Sequence, residues 1–242
     1  MFRVELHAHS ERSHDGRDPV DLLLEQATAV GLDALAITDH DEIDASIEAA
    51  VSAPDYGLVG IVGMEVTSAA GHILALGIDE LVAPGLSYDE TLDRIHDQGG
   101  IAVVPHPFQK SRHGVAPHIT DDQLAAADAI EVYNSRLFTG RANRQAEQFA
   151  IERGLPMTAG SDAHISELVG QAVTEVDADE PTAETRFSMR SVGAKRALSA
   201  TERRGTSASG SSAAARNAAP SGRSASCSDE PPTTVVAPRG RP

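Results

Sequence analysis

A chain of 242 residues with 36 acidic and 20 basic side chains, net charge −16, is long enough to enclose one apolar core. It is also too acidic to track a nucleic-acid backbone unaided. The single cysteine, Cys227, excludes an intrachain disulfide and asks for no oxidising compartment. No run approaches the ~18 apolar residues that suggest a membrane span, and the opening MFRVELHAHS lacks a basic region followed by an apolar one. A soluble, cytoplasmic protein with no membrane contact is expected.

Short apolar runs alternate with helical patterns along residues 1–180. A strand over 2–6 precedes a helix over 19–30, for which Asp18 is the expected N-cap and Pro19 the first helical residue. That helix buries Val20, Leu23, Leu24 and Ala27 and stops at Gly31. Further strands are predicted over 34–38, 58–62 and 73–76, then a helix over 89–98 with His96 on its surface. Strands over 101–104 and 130–132 come next. A helix over 141–153 buries Ala142, Ala146, Phe149 and Ala150 and ends at Gly154; strands over 156–159 and 172–176 close the series. Such alternation argues for parallel strands with helical crossovers, and units this short suit a compact α/β barrel better than a full one of ~250 residues.

Composition changes near residue 185. Residues 1–185 hold 33 acidic and 10 basic side chains, whereas residues 186–242 hold 3 and 10. The second stretch is dominated by Ser, Ala, Arg, Pro and Gly and has too little apolar surface to offset its ordering entropy. One folded domain over 1–185 and a disordered basic tail over 186–242 are expected. The tail is read as a solvated segment without a partner, since no aromatic residues interleave its arginines.

All ten histidines precede residue 165. In VELHAHS, His7 and His9 follow a strand, and residues i and i+2 of an extended chain point the same way. Comparable positions recur in AITDHD (His40), VGMEV (Glu65), AAGHILALG (His72), AVVPHPF (His106) and TAGSDAH (Asp162, His164). Where parallel strands share a carboxyl-terminal face, these segments converge on it, as metal sites in such folds do. Any one of these histidines alone is more readily a hydrogen-bonded core or surface residue. Together they would be costly to bury without a shared purpose.

The motifs H-A-H, T-D-H-D, Glu65 with G-H-I-L-A-L-G, P-H-P and G-S-D-A-H, in this order, resemble the PHP (polymerase and histidinol phosphatase) family over about residues 1–180. The resemblance implies a distorted seven-stranded, TIM-like β/α barrel and a metal-dependent phosphoesterase with two to three divalent ions. It implies a first ion held by His7, His9, Glu65 and Asp162, and a second sharing Glu65 as a bridge with His72 and His106. A third would take Asp15, His40 and His164, with His14 as the alternative to Asp15. It further implies Glu65, Asp162 and His106 as the catalytic group, with a metal-bound hydroxide attacking phosphorus. Small phosphomonoesters, nucleotide bisphosphates or the 5′ end of a short RNA are the implied substrates; non-phosphate esters, or an accessory module without turnover, are the other readings. No stable protein partner is evident.

Divalent ions suit this chemistry because they lower the pKa of bound water toward ~7 and clamp the entering and leaving oxygens of a phosphoryl group. Mixed imidazole and carboxylate donors suit Zn, Mn or Fe, and sequence does not choose among them. No Ser-His-Asp or Cys-His arrangement competes. Lys110, Arg112 and Arg136 are candidate phosphate cations or loop ion pairs. Asn134 either contacts substrate or fixes a turn, and His113 and His118 are candidate proton donors. Asp39 and Asp41 either orient ligand imidazoles or cap the helix starting near Glu42.

Overall fold

The computed structural model describes residues 1–136 and 140–176 and the backbone of 191–196. All eight apolar runs are strands. In chain order they are β1 (Phe2–Glu5), β2 (Ala34–Ile37), β3 (Val59–Ser68), β4 (Gly71–Leu76), β5 (Ile101–Val104), β6 (Ala129–Asn134), β7 (Met157–Gly160) and β8 (Ala172–Val176). A further strand, β9 (Ser191–Arg196), pairs antiparallel with β8. It lies inside the stretch for which composition predicts disorder; the rest of 186–242 falls outside the described residues. Among the described residues nine strands form one sheet, against the seven implied by the resemblance, in the order β7-β6-β5-β4-β3-β2-β1-β8-β9.

The expectation of parallel strands holds only in part. Pairs β1–β2, β2–β3, β5–β6 and β6–β7 are parallel, whereas β3–β4, β4–β5 and β1–β8 are antiparallel. The tight turn between Ser68 and Gly71 leaves no room for a crossover helix, so β4 must run back along β3. The sheet curls into a nearly closed barrel. No ladder joins β7 to β8; instead the buried Thr174 hydroxyl accepts from Ala159 N at 3.0 Å and donates to Ala159 O at 2.9 Å.

The α-helices among the described residues are α1 (Val20–Ala29), α2 (Asp44–Ser52), α3 (Tyr88–Asp97), α4 (Asp121–Leu124) and α5 (Arg141–Arg153). Helix α1 buries Val20, Leu23, Leu24 and Ala27 against Leu35 and Ile37 of β2 and Ala45 and Ala49 of α2. Alternate β2 residues, Ala34 and Ala36, join Ile61, Leu74, Leu76 and Val103 on the other face, the period-two division of a strand buried on both sides. Asp18 is not the cap of α1: Pro19 occupies that position, and the Asp18 carboxylate accepts from Ser166 N at 2.6 Å. It ties the start of α1 to the loop after β7 instead. No helix among the described residues is long and apolar enough to cross a membrane.

Helix α3 starts with a capping box between Ser87 and Glu90 and buries Tyr88, whose hydroxyl has no hydrogen-bond partner among the described residues. Burial, with Asp89 and Asp128 nearby, pushes that phenol's pKa upward. Tyr88→Phe removes an unpartnered buried hydroxyl without changing the ring. It is expected to leave stability unchanged or raise it by about 1 kcal/mol in urea unfolding; a loss of that size would mean the hydroxyl has a partner in solution.

Candidate metal centre

Loops leaving β1, β2, β5 and β7 bring His7, His9, His40, His106, Asp162 and His164 to one end of the barrel. His72 reaches the same end for a different reason: it stands at the start of β4, and because β4 is antiparallel its beginning lies beside the ends of its neighbours. Glu65 lies within β3 and faces the same point, its strand tied to the β2 loop by Glu65 N to Asp39 O at 3.0 Å and Asp41 N to Glu65 O at 3.0 Å. A cavity of about 710 Å³ opens over the group.

Glu65 is buried at the centre. Its Oε2 lies 3.2 Å from His7 Nε2, 3.3 Å from His9 Nε2 and 3.4 Å from His40 Nδ1, while Oε1 lies 2.8 Å from His72 Nδ1 and 3.3 Å from His106 Nε2. Asp162 Oδ1 stands 3.9 Å from His7 Nε2 and 3.6 Å from His9 Nε2. Beside them, Asp15 Oδ2 is 2.6 Å from His164 Nε2 and 3.7 Å from His40 Nε2. Asp15, rather than His14, thus joins His40 and His164, and His9 is in reach of the same set. Gly16 makes that loop feasible, because a Cβ there would meet Ser10 O at 1.9 Å.

The donor atoms fit divalent cations. His9 Nε2, His40 Nδ1 and Glu65 Oε1 are buried without a hydrogen bond of acceptable geometry, a costly condition for polar atoms unless something binds them. Electrostatics agree. Burial opposes charge on Glu65, yet His7, His106 and His72 hold its carboxyl well below the usual range. Burial likewise opposes charge on Asp162, and His7, His9 and His106 pull it down. For His7, burial is outweighed by Glu65, Glu131 and Asp162, which hold its pKa well above the ordinary histidine value. Burial pushes His40 down to about 4 against the pull of Glu65, and burial with His9 lowers His164; both are therefore neutral, ligand-ready imidazoles near pH 7.

Backbone conformation concentrates here as well. The described non-glycine residues with positive φ are Asp41 (54°), His106 (34°), His113 (53°) and Asp162 (51°), and all four line the cavity. Such conformations persist only where surrounding contacts over-determine them. For Asp41 the contact is its own carboxylate accepting from Thr67 N at 2.7 Å. Asp39 accepts from Ser10 N at 2.6 Å. Neither aspartate caps α2, whose N-cap is Ile43, and neither bonds an imidazole; both clamp loops that carry candidate ligands.

The candidate substrate residues separate. Arg112 donates to Asp162 Oδ2 at 2.8 Å, and Arg136 reaches Asp162 Oδ1 at 3.3 Å and also contacts His164; both line the cavity. Lys110 is exposed and does not line it. Asn134 is buried beneath the site rather than at its mouth, because β6 continues through it. Its Nδ2 donates to Asp162 Oδ2 at 3.2 Å, and its Oδ1 accepts from Arg136 N at 3.0 Å, so it does fix the turn. His113 stacks on His72 with ring centroids 5.0 Å apart, and His14 lies 4.8 Å from His40; both line the cavity. His118 does not, and His96 is a surface partner of Asp128.

Sequence reasoning missed two buried carboxylates. Glu5 accepts from His7 N, Ser161 N and Gly170 N, and burial pushes its pKa up to about 7 despite those bonds. Glu131 accepts from His7 Nδ1, His106 N and Asn134 Nδ2, each at 3.0 Å. The available signal was a carboxylate inside an apolar strand, FRVE and AIEVYN, which needs partners to be buried at all.

The PHP domain pattern matches residues 5–143, and the PHP-associated pattern PHP_C matches 140–185. The chain is 30% identical over 168 residues to the uncharacterized protein MJ1587 of Methanocaldococcus jannaschii, covering 65% of this chain and 96% of that protein. It is 30% identical over 173 residues to a 3′,5′-nucleoside bisphosphate phosphatase of Chromobacterium violaceum, covering 62% of this chain and 60% of that one. Among solved structures, PsfC from Pseudomonas syringae superposes with a TM-score of 0.62 at 20% identity, over 84% of this chain and 95% of that one. A two-domain protein from Bacteroides vulgatus containing a predicted PHP-like metal-dependent phosphoesterase gives 0.61 at 23% identity, over 72% of this chain and 58% of that one. These two share the fold. With the PHP domain pattern spanning more than half of its residues, this chain belongs to the PHP family.

Proposed function

We propose that this chain, a metal-dependent phosphoesterase, hydrolyses small phosphomonoesters, nucleotide bisphosphates included, at a site for three divalent ions. The observation that carries the reading is the division of Glu65: one oxygen faces His7 and His9, the other faces His72 and His106. His7, His9, Glu65 and Asp162 would hold the first ion, Glu65, His72 and His106 the second, and Asp15, His40 and His164 the third. Zn, Mn and Fe all suit these donors. Such ions, when bound, supply Lewis-acid stabilisation of the phosphoryl oxygens and an acidic water.

The chain's own residues do the remainder. Arg112 and Arg136 line the cavity and orient the phosphoryl group through guanidinium donors matched to its oxygens. His113 and His14 supply the imidazoles available to protonate the leaving oxygen. The strongly acidic surface disfavours long polynucleotides, and the bisphosphate phosphatase relative supports a small substrate.

The test is a panel of phosphomonoesters, phosphodiesters and carboxylic esters assayed with Mn or Zn. Turnover of monoesters, lost on chelation and restored by metal, is expected, with about two to three metal equivalents by elemental analysis. Turnover of carboxylic esters alone would replace the phosphate assignment. No turnover with the metals loaded would make the domain an accessory module.

A further inference from the structure

Glu131 bonds directly to two segments that carry candidate ligands, those of His7 and His106, and through Asn134 it is linked to a third, that of Asp162. It is 1% exposed, comes from the middle of β6, and receives a side-chain donor from the loop after β1 (His7 Nδ1), a backbone donor from the loop after β5 (His106 N) and an amide donor from Asn134. Asn134 in turn donates to Asp162 Oδ2 and exchanges hydrogen bonds with Asn143 of α5, through Asn134 N to Asn143 Oδ1 at 3.2 Å and Asn143 Nδ2 to Asn134 O at 3.1 Å. A carboxylate is the side chain that accepts all three donors at once. Glutamine has one acceptor oxygen, and its NH2 would face a donor.

We propose that Glu131 is a positioning residue for the metal centre: it keeps a proton on His7 Nδ1, which makes Nε2, facing Glu65 and Asp162, the nitrogen that would coordinate an ion, and it pins the backbone that carries His106. The inference rests on the reading of these residues as metal ligands. Because Glu131 only accepts, the 3.0 Å contact requires a proton on His7 Nδ1. A carboxylate on the far nitrogen both orients a ligand imidazole and raises its basicity. One side chain thereby serves two donor sets, His7 through its ring and His106 through its main chain. The fit leaves no slack. A Cβ on Gly160 would lie 2.4 Å from Glu131 Oε1 and 2.6 Å from His7 Cβ, so β7 presses glycine backbone against the pair.

Chelator-competition titration of zinc into the full chain and its Glu131→Gln variant tests the role. Zinc affinity is expected to fall about 10- to 100-fold in the variant with its circular dichroism spectrum retained. A folded variant with unchanged affinity overturns the positioning role and leaves the metal reading intact; wild-type protein that binds no zinc overturns both. A second measurement does not depend on the variant folding. In 15N-histidine spectra of the zinc-loaded wild type, His7 is expected to carry its proton on Nδ1 with Nε2 coordinated. A proton on Nε2 overturns the inference.

Discussion

Glu65→Gln is expected to reduce turnover by about 10³-fold or more while the barrel stays folded. Loss of several kcal/mol of metal-derived transition-state stabilisation, at tenfold per 1.36 kcal/mol, sets that scale. Five imidazoles come within 3.4 Å of this carboxylate. Glutamine keeps one acceptor oxygen, so at most one of the two donor sets that share Glu65 retains it, while the other faces an NH2 that cannot ligate. Elemental analysis should therefore show fewer metal equivalents in the variant, and kcat/KM should fall with them. Turnover within tenfold of wild type at full metal loading would remove Glu65 from the centre of the site.

Strand positions were legible because apolar runs bounded by turn residues have few alternatives, and α1 and α5 were legible from their buried stripes and closing glycines, Gly31 and Gly154. Strand direction was not. An apolar run reads the same in either sense, so His72 looked like one more residue at a strand's end, when it begins a strand that runs the other way. The cluster of candidate ligands survived that error because reversing β4 brings its first residue to the face where its neighbours finish.

The supporting polar residues were less legible than the donors they hold. His7 announces itself by spacing with His9, whereas Glu131, Asn134 and Asn143 have no spacing relation to it; only the folded chain brings residues 7 and 131 within 3.0 Å. Asp18 departs from its expected capping role for a related reason. Local rules favour an aspartate before Pro19 as a helix cap, but a distant amide, Ser166 N, took its carboxylate. Where local preference and tertiary contact compete, the contact near the ligand loops prevailed.

Thr174→Val is expected to destabilise the barrel more than its near-identical shape suggests. The sheet order leaves β7 and β8 without a ladder between them, and the Thr174 hydroxyl spans that seam, satisfying both Ala159 N and Ala159 O. Valine fills the same volume and bonds neither. Orphaning a buried donor and a buried acceptor costs about 1–3 kcal/mol each, hence roughly 2–6 kcal/mol together, enough to lower Tm by on the order of 10 °C for a domain of this size. Thr174→Ser keeps the hydroxyl and forfeits one methyl, about 1 kcal/mol. Differential scanning calorimetry on both variants separates the explanations, since loss of packing would penalise serine and spare valine, while loss of the seam bonds does the reverse. Ala159 also precedes Gly160 and Asp162 in the chain, so the valine variant should bind zinc more weakly while the serine variant binds it nearly as wild type does. A valine variant as stable as wild type would mean that the barrel closes by some other contact.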